Sequence, residues 1–148
     1  MVEALNDRWS EGLMPVVAQG RTWALFVLLA AGLALSAAAN PRYDYLLHCG
    51  GCHLEDGSGN PPEVPDLRED MGYMIGFDAG RAYLVQVPGS SQAPLSDASL
   101  ATVLNWMMDT YYPQLHGDFD RFTAEEVTRH RATRLLDPKQ ARAALWPD

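Results

Sequence analysis

The chain predicts a small all-α domain, and three features of the sequence carry that expectation. Apolar residues recur at helical spacing through Leu100, Val103, Leu104, Met107 and Tyr111. Helix-opening signals stand at Asn40-Pro41, at Ser96, at Thr123-Ala124-Glu125-Glu126 and at Asp137-Pro138. The intervening segments are turns rich in Gly and Pro, and a strand competes with a helix only over 81–87, where the residues are partly β-branched.

The first helix is expected over 41–49, with Asn40 as its cap, Pro41 in its first turn, and Tyr45, Leu46 and Leu47 available for packing. It leads into Cys49-Gly50-Gly51-Cys52-His53. In a C-x-x-C-H run the two thiols add across the two vinyl groups of a porphyrin, and the adjacent imidazole becomes the proximal iron ligand. Cys49, Cys52 and His53 are therefore the candidate attachment and ligand residues for one covalent haem c. Two other chemistries use a C-x-x-C pair. A redox dithiol opens a helix in a βαβ setting, whereas here a helical stretch precedes the cysteines. Zinc needs further thiols or a second spaced histidine pair, and the chain has no third cysteine. With both thiols used by the haem, no disulfide is expected.

Upstream, an apolar run from Trp23 to Leu35 follows Arg21 and ends in Ser36-Ala37-Ala38-Ala39. A basic flank, a short hydrophobic core and small residues are the layout of a secretory signal peptide, with cleavage after Ala39. The alternative is an uncleaved membrane anchor over 22–39, which has just the length of a marginal transmembrane helix. Either arrangement places the motif on the periplasmic side of a bacterial inner membrane. Glu3, Asp7 and Glu11 outweigh Arg8 in the first residues, so a start at Met14 would give a more usual basic leader than a start at Met1. The organisation expected is thus 1–39 as signal peptide or anchor, 40–112 as the haem domain and 113–148 as a C-terminal helical extension.

After His53 comes a turn-rich loop, 54–67, that includes Asp56-Gly57-Ser58-Gly59 and Val64-Pro65-Asp66-Leu67. Together with the short helix into the C-x-x-C-H motif and a closing helix after Pro94-Leu95-Ser96-Asp97, these segments resemble the class I monohaem cytochrome c family over roughly 41–112. That resemblance implies a cytochrome c-like helical fold wrapped around the haem, and electron transfer as its work. It also implies that the Pro65 carbonyl accepts the N–H of the proximal imidazole and that Leu67 touches the haem. A carbonyl partner of this kind fixes the ligating tautomer and raises its basicity.

In the class I family the sixth iron ligand is usually a methionine in the loop before the last helix. Here that loop, 87–94, contains none. Four residues elsewhere compete: Met71 and Met74, in a glycine-flanked loop or short helix, rank first and level, then Met107 in the closing helix, then His116 beyond it. A vacant distal position is the further alternative. Met71, Met74 and Met107 have an ordinary role as core fillers, and His116 as a solvated loop residue.

Arg81 either meets a haem propionate or is an exposed surface arginine, the latter being the commoner case. Trp106 falls beside the closing helix's apolar face, at the expected contact with the first helix. Beyond Pro113, the capping box at Thr123 opens a polar helix toward Leu136, and a short helix from Pro138 ends near Trp146. Arg129, Arg131, Arg134, Lys139 and Arg142 make this tail basic, against acidic residues around the haem motif.

The 148 residues carry a formal net charge of -8, which argues against a nucleic-acid partner and for a charge-complementary protein. The functional expectation is a one-electron carrier rather than an enzyme. Its redox partner is a dehydrogenase, an oxidase or a respiratory membrane complex, of which it could also be the cytochrome subunit. The alternatives are a haem protein whose open distal site takes NO, CO or peroxide, and a structural haem subunit of a membrane complex.

Overall fold

Asn40 opens the first helix as its residue type dictates: its side-chain oxygen accepts the amide N–H of Arg42 at 3.1 Å, and Pro41 occupies a first-turn position that needs no donor. This helix, α1 (Pro41–His48), ends at Cys49, and one further turn, α2 (Gly50–His53), carries the rest of the motif. The computed structural model describes residues 40–146, without the side chain of Asp70. The run from Trp23 to Ala39, with its alternatives of cleavage and anchoring, and the choice between Met1 and Met14, lie outside the described residues.

The remaining elements are helical too: α3 (Leu67–Met74), α4 (Asp78–Gln86), the single turn α5 (Pro88–Ser91), α6 (Asp97–Tyr111), a 3₁₀ turn (Pro113–Leu115), α7 (Ala124–Arg131) and α8 (Pro138–Leu145). Among the described residues no strand forms; the nearest approach is an isolated bridge between Asn60 and Val64. The fold is all-α, and the segment 81–87 resolves as helix, its residues falling in or directly after α4. Side-chain caps hold four more helix starts, Asp66 to the Arg68 amide, Ser96 to that of Ser99, Thr123 to that of Glu126, and Asp137 to that of Gln140.

Helix α6 is the spine. Its stripe of Leu100, Val103, Leu104 and Met107 is buried, and Ala101 and Met108 widen that stripe beyond the expected face, while Tyr111 is only partly covered. The extra width has a use, because α6 is packed by α1, by α3 and by α7. On the α1 side, the wholly buried Tyr45 stacks its ring 5.3 Å from Trp106 and donates its hydroxyl to the Leu54 carbonyl at 2.7 Å. On the α7 side, Val127 and Phe122 enter the same core, and the Asn105 amide both donates to and accepts from the Phe122 backbone, at 3.0 and 2.9 Å. Burying each such side chain stabilises the fold by roughly 1.5–3 kcal/mol.

Two expectations from the sequence need correction. Helix α7 stops at Arg131 rather than running toward Leu136: the Thr133 amide turns back to the His130 carbonyl, and Leu136 is left 91% exposed. Arg81 is neither exposed nor at the cavity described below. It is buried, with Nε and Nη2 donating to the two Glu126 carboxylate oxygens at 2.7 Å each and Nη1 donating to the Asp120 carbonyl at 2.8 Å. Its guanidinium also lies 4.1 Å from the centre of the Phe122 ring.

Candidate functional site

The loop after α2 folds back on the motif because its glycines allow it. Gly59 sits at a φ of +61°, and a Cβ there would come within 2.6 Å of the backbone oxygens of Val64 and Pro65. The Gly59 amide bonds to the His53 carbonyl at 3.0 Å, and Asn60 and Val64 then exchange two backbone bonds. The result delivers the Pro65 carbonyl to the His53 ring, with Nδ1 3.0 Å from that oxygen. A carbonyl can only accept, so Nδ1 carries the hydrogen and donates it, leaving the Nε2 lone pair available to a metal. Burial lowers the His53 pKa and outweighs the Pro65 bond, which acts the other way, so the ring is neutral and able to ligate at pH 7.

Cys49, Cys52 and His53 line one cavity of ≈ 240 Å³. Pro65 and Leu67 line it from the returning loop, Met71 and Met74 from α3, Leu84 and Val87 from α4 and its end, and Leu104 and Met107 from α6. Gly89 and Ser90 close it at α5, and Pro138 and Arg142 reach it from α8. The surface is predominantly apolar, which suits a flat hydrophobic cofactor. Two charged residues are among its lining: Asp66, whose carboxyl Arg68 hydrogen-bonds and holds below the usual range, and Arg142, whose guanidinium lies 6.0 Å from the centre of the Trp146 ring.

Burial, helped by the carboxylate of Asp44, pushes the Cys49 thiol up to about 11, whereas a disulfide-exchanging cysteine is tuned downward. Among the described residues no cluster of three or more His, Cys, Asp or Glu side chains is placed to hold a metal ion.

The four distal candidates separate by position. Met71 and Met74 are each 1% exposed and both face the cavity from α3, with Met107 facing it from α6. His116 does not line it; its imidazole is exposed beyond α6, 3.9 Å from Asp109. Sequence reasoning missed Pro138 and Arg142, which α8 brings to the cavity from far along the chain. The signal for α8 itself was present, in Asp137-Pro138, but nothing local says which surface such a helix covers.

No family model matches the chain, and no solved structure matches it. Two proteins described as cytochrome c-552, both of Thermus thermophilus, are similar to it. One is 34% identical over 143 residues, covering 83% of this chain and 93% of that protein. The other is 33% identical over 115 residues, covering 64% of this chain and 86% of that protein. The chain belongs to the c-type cytochromes. A covalently bound c-type haem and haem-based electron transfer follow from that membership. The cavity fits such a group: two thiols and an imidazole with a free Nε2 converge on one apolar hollow.

Proposed function

We propose that this cytochrome is a single-haem, class I-like electron carrier in which Cys49 and Cys52 form the two thioethers and His53 is the proximal ligand. The observation that carries it is the convergence of those three side chains on one apolar cavity, with the His53 ring held by the Pro65 carbonyl. When bound, the haem iron supplies a reversible one-electron change. The chain's residues do the rest. Pro65 fixes the His53 tautomer and orientation, so the ligand need not reorganise when the charge on the metal changes. Leu67, Leu84 and Leu104 exclude water from the cavity wall, which keeps the electrostatic environment constant between oxidation states. Met74 or Met71 supplies the distal thioether from α3 in place of the methionine that the 87–94 loop lacks, and a thioether raises the potential above that of a second imidazole.

The apolar run from Trp23 to Ala39 supports export to the periplasmic side, either cleaved near Ala39 or retained as an anchor. The partner is a redox protein, a dehydrogenase, an oxidase or a membrane complex, with a surface complementary to a chain of net charge -8. A second reading, an open distal site for small ligands, rests on the loop itself, which presents Gly89 and Ser90 to the cavity and no ligating thioether.

Absorption spectra of the oxidised and reduced protein, with CO then added, test both. A methionine-to-ferric-iron charge-transfer band and no response to CO is the result expected of the carrier. The band should vanish in Met74→Ala or in Met71→Ala and persist in Met107→Ala. No band, together with rapid CO binding in the unmodified protein, would replace the carrier by the ligand-binding protein.

A further inference from the structure

Arg131, the last residue of α7, is largely buried, its side chain 16% exposed, and its guanidinium is aimed at a single segment of backbone. Nη1 donates to the Leu95 carbonyl at 2.8 Å and to the Asp97 carboxylate at 2.7 Å, and Nη2 donates to the carbonyls of Ser90 and Ala93 at 3.1 and 3.2 Å. Thr128, one turn earlier on α7, donates its hydroxyl to the other Asp97 oxygen at 2.5 Å. One cation thus gathers three carbonyls of the segment between α4 and α6 and ties them to the first residue of α6.

That segment forms part of the cavity wall. It contributes Gly89 and Ser90 to the lining, and from Pro88 to Ser96 it offers no large apolar side chain except Leu95 and no side chain able to bind iron strongly. The Ser90 carbonyl also accepts the Ala93 amide at 3.4 Å, and once covered such carbonyls need donors. A buried charge is costly unless it is compensated, and here the two terminal nitrogens share four acceptors while Nε has none, so the compensation depends on the shape of what those two nitrogens bond. A lysine could not do this, because three rotatable donors on one nitrogen do not match a planar fork reaching four oxygens.

We infer that Arg131 is the positioning residue that keeps the 88–96 segment closed over the haem cavity, so that access to this face is set by the C-terminal extension. The segment is held from its outer side, through α7, rather than through a bond of its own to the iron. The inference rests on the proposed haem site for its consequence, access to iron, though not for the contacts themselves.

The test uses the haem-loaded protein and three variants: Arg131→Leu, Arg131→Lys and, as a control, Arg81→Lys, which weakens a different buried contact of α7. Two quantities are read, the rate of imidazole binding to the ferric protein and backbone hydrogen exchange across 88–96. Arg131→Leu should accelerate both by about tenfold or more, since removing even one charge-assisted bond from a closed state shifts its opening by that order. Arg131→Lys should fall between it and the unmodified protein. Arg81→Lys should leave both rates for this segment unchanged relative to the rest of the chain. Normal rates in Arg131→Leu would overturn the inference, as would equal acceleration in Arg81→Lys, which would reduce Arg131 to general stability. Should Arg131→Leu fail to fold, the Arg131→Lys comparison decides alone. A protein that carries no covalent haem would instead sink the haem reading, and exchange across 88–96 would still judge the clasp.

Discussion

Replacing Arg81 by leucine should be the most damaging single substitution away from the haem motif. Arg81 makes three charge-assisted bonds, two to Glu126 and one to the Asp120 carbonyl, and stacks on Phe122. Both partners of the pair are nearly covered, with side chains 10% and 13% exposed, so little solvent reaches a carboxylate left behind. Breaking a buried pair from one side costs about 3–5 kcal/mol, mostly because the surviving charge stays buried without compensation. For a domain of this size that lowers the unfolding temperature by on the order of 15 °C or more. Urea unfolding of the haem-loaded protein, followed by far-UV circular dichroism, measures the loss directly. The double variant Arg81→Leu with Glu126→Leu should recover most of it, because an apolar pair of fitting volume leaves no orphaned charge. A loss below about 1 kcal/mol in Arg81→Leu, or a double variant whose cost equals the sum of the singles, would refute the reasoning.

Three further outcomes are expected. Gly80→Ala should destabilise by about 1–3 kcal/mol despite the better helix propensity of alanine, because its Cβ would press on the backbone of Met74, the carbonyl oxygen above all. A stabilised Gly80→Ala protein in urea unfolding would show that α4 does not lie so close to α3. Acid should weaken the fold. Burial pushes the Glu126 carboxyl up, but the bonds and charge of Arg81 outweigh it, and Thr128 with Arg131 lowers that of Asp97. Both groups therefore contribute stability that is complete above the ordinary carboxylate pKa of about 4 and is lost as pH falls through their lower folded values. Urea midpoints measured between pH 7 and pH 3 should fall on the acid side, with a shallower fall in Glu126→Gln. Finally, Cys49→Ser or Cys52→Ser should abolish two-point attachment, leaving acid-extracted protein with haem held by at most one thioether.

What could be read from the sequence was what local chemistry decides. The Asn40, Ser96 and Thr123 caps, the α6 stripe and the five-residue motif each depend on neighbours a few positions away, and each is where the residue types place it. Arg81 and Arg131 were beyond that reach. An arginine is ordinarily solvated, and only the arrival of Glu126 opposite the one, or of three carbonyls opposite the other, makes burial favourable. The same holds for Pro138 and Arg142, whose place at the cavity depends on how α8 crosses α4. Met71 and Met74 are an intermediate case. Their neighbourhood left helix and loop both open, and the Asp66 cap together with the Tyr112 hydroxyl on the Leu67 carbonyl at 2.7 Å is what sets α3 and turns both thioethers inward.

The basic character of the tail takes on a different meaning once its partners are known. Arg131 is bonded to Asp97 and to carbonyls of 90–95, and Arg121 makes a bidentate pair with Asp109 at 2.6 and 2.8 Å, so two of its cations are paired with groups of α6 and its approach. Glu126 works in the opposite sense, an acid from the tail that neutralises Arg81 of α4. Phe122 and Val127 share the core of α6, so the charged contacts are anchored by apolar ones and not merely laid on a surface. Residues 113–146 are therefore joined to α4 and α6 by both charged and apolar contacts. α7 holds the segment that carries Gly89 and Ser90, and α8 places Pro138 and Arg142 at the rim. A chain whose 87–94 loop has no methionine to bind iron needs another means of fixing that loop, and the extension supplies one through Arg131.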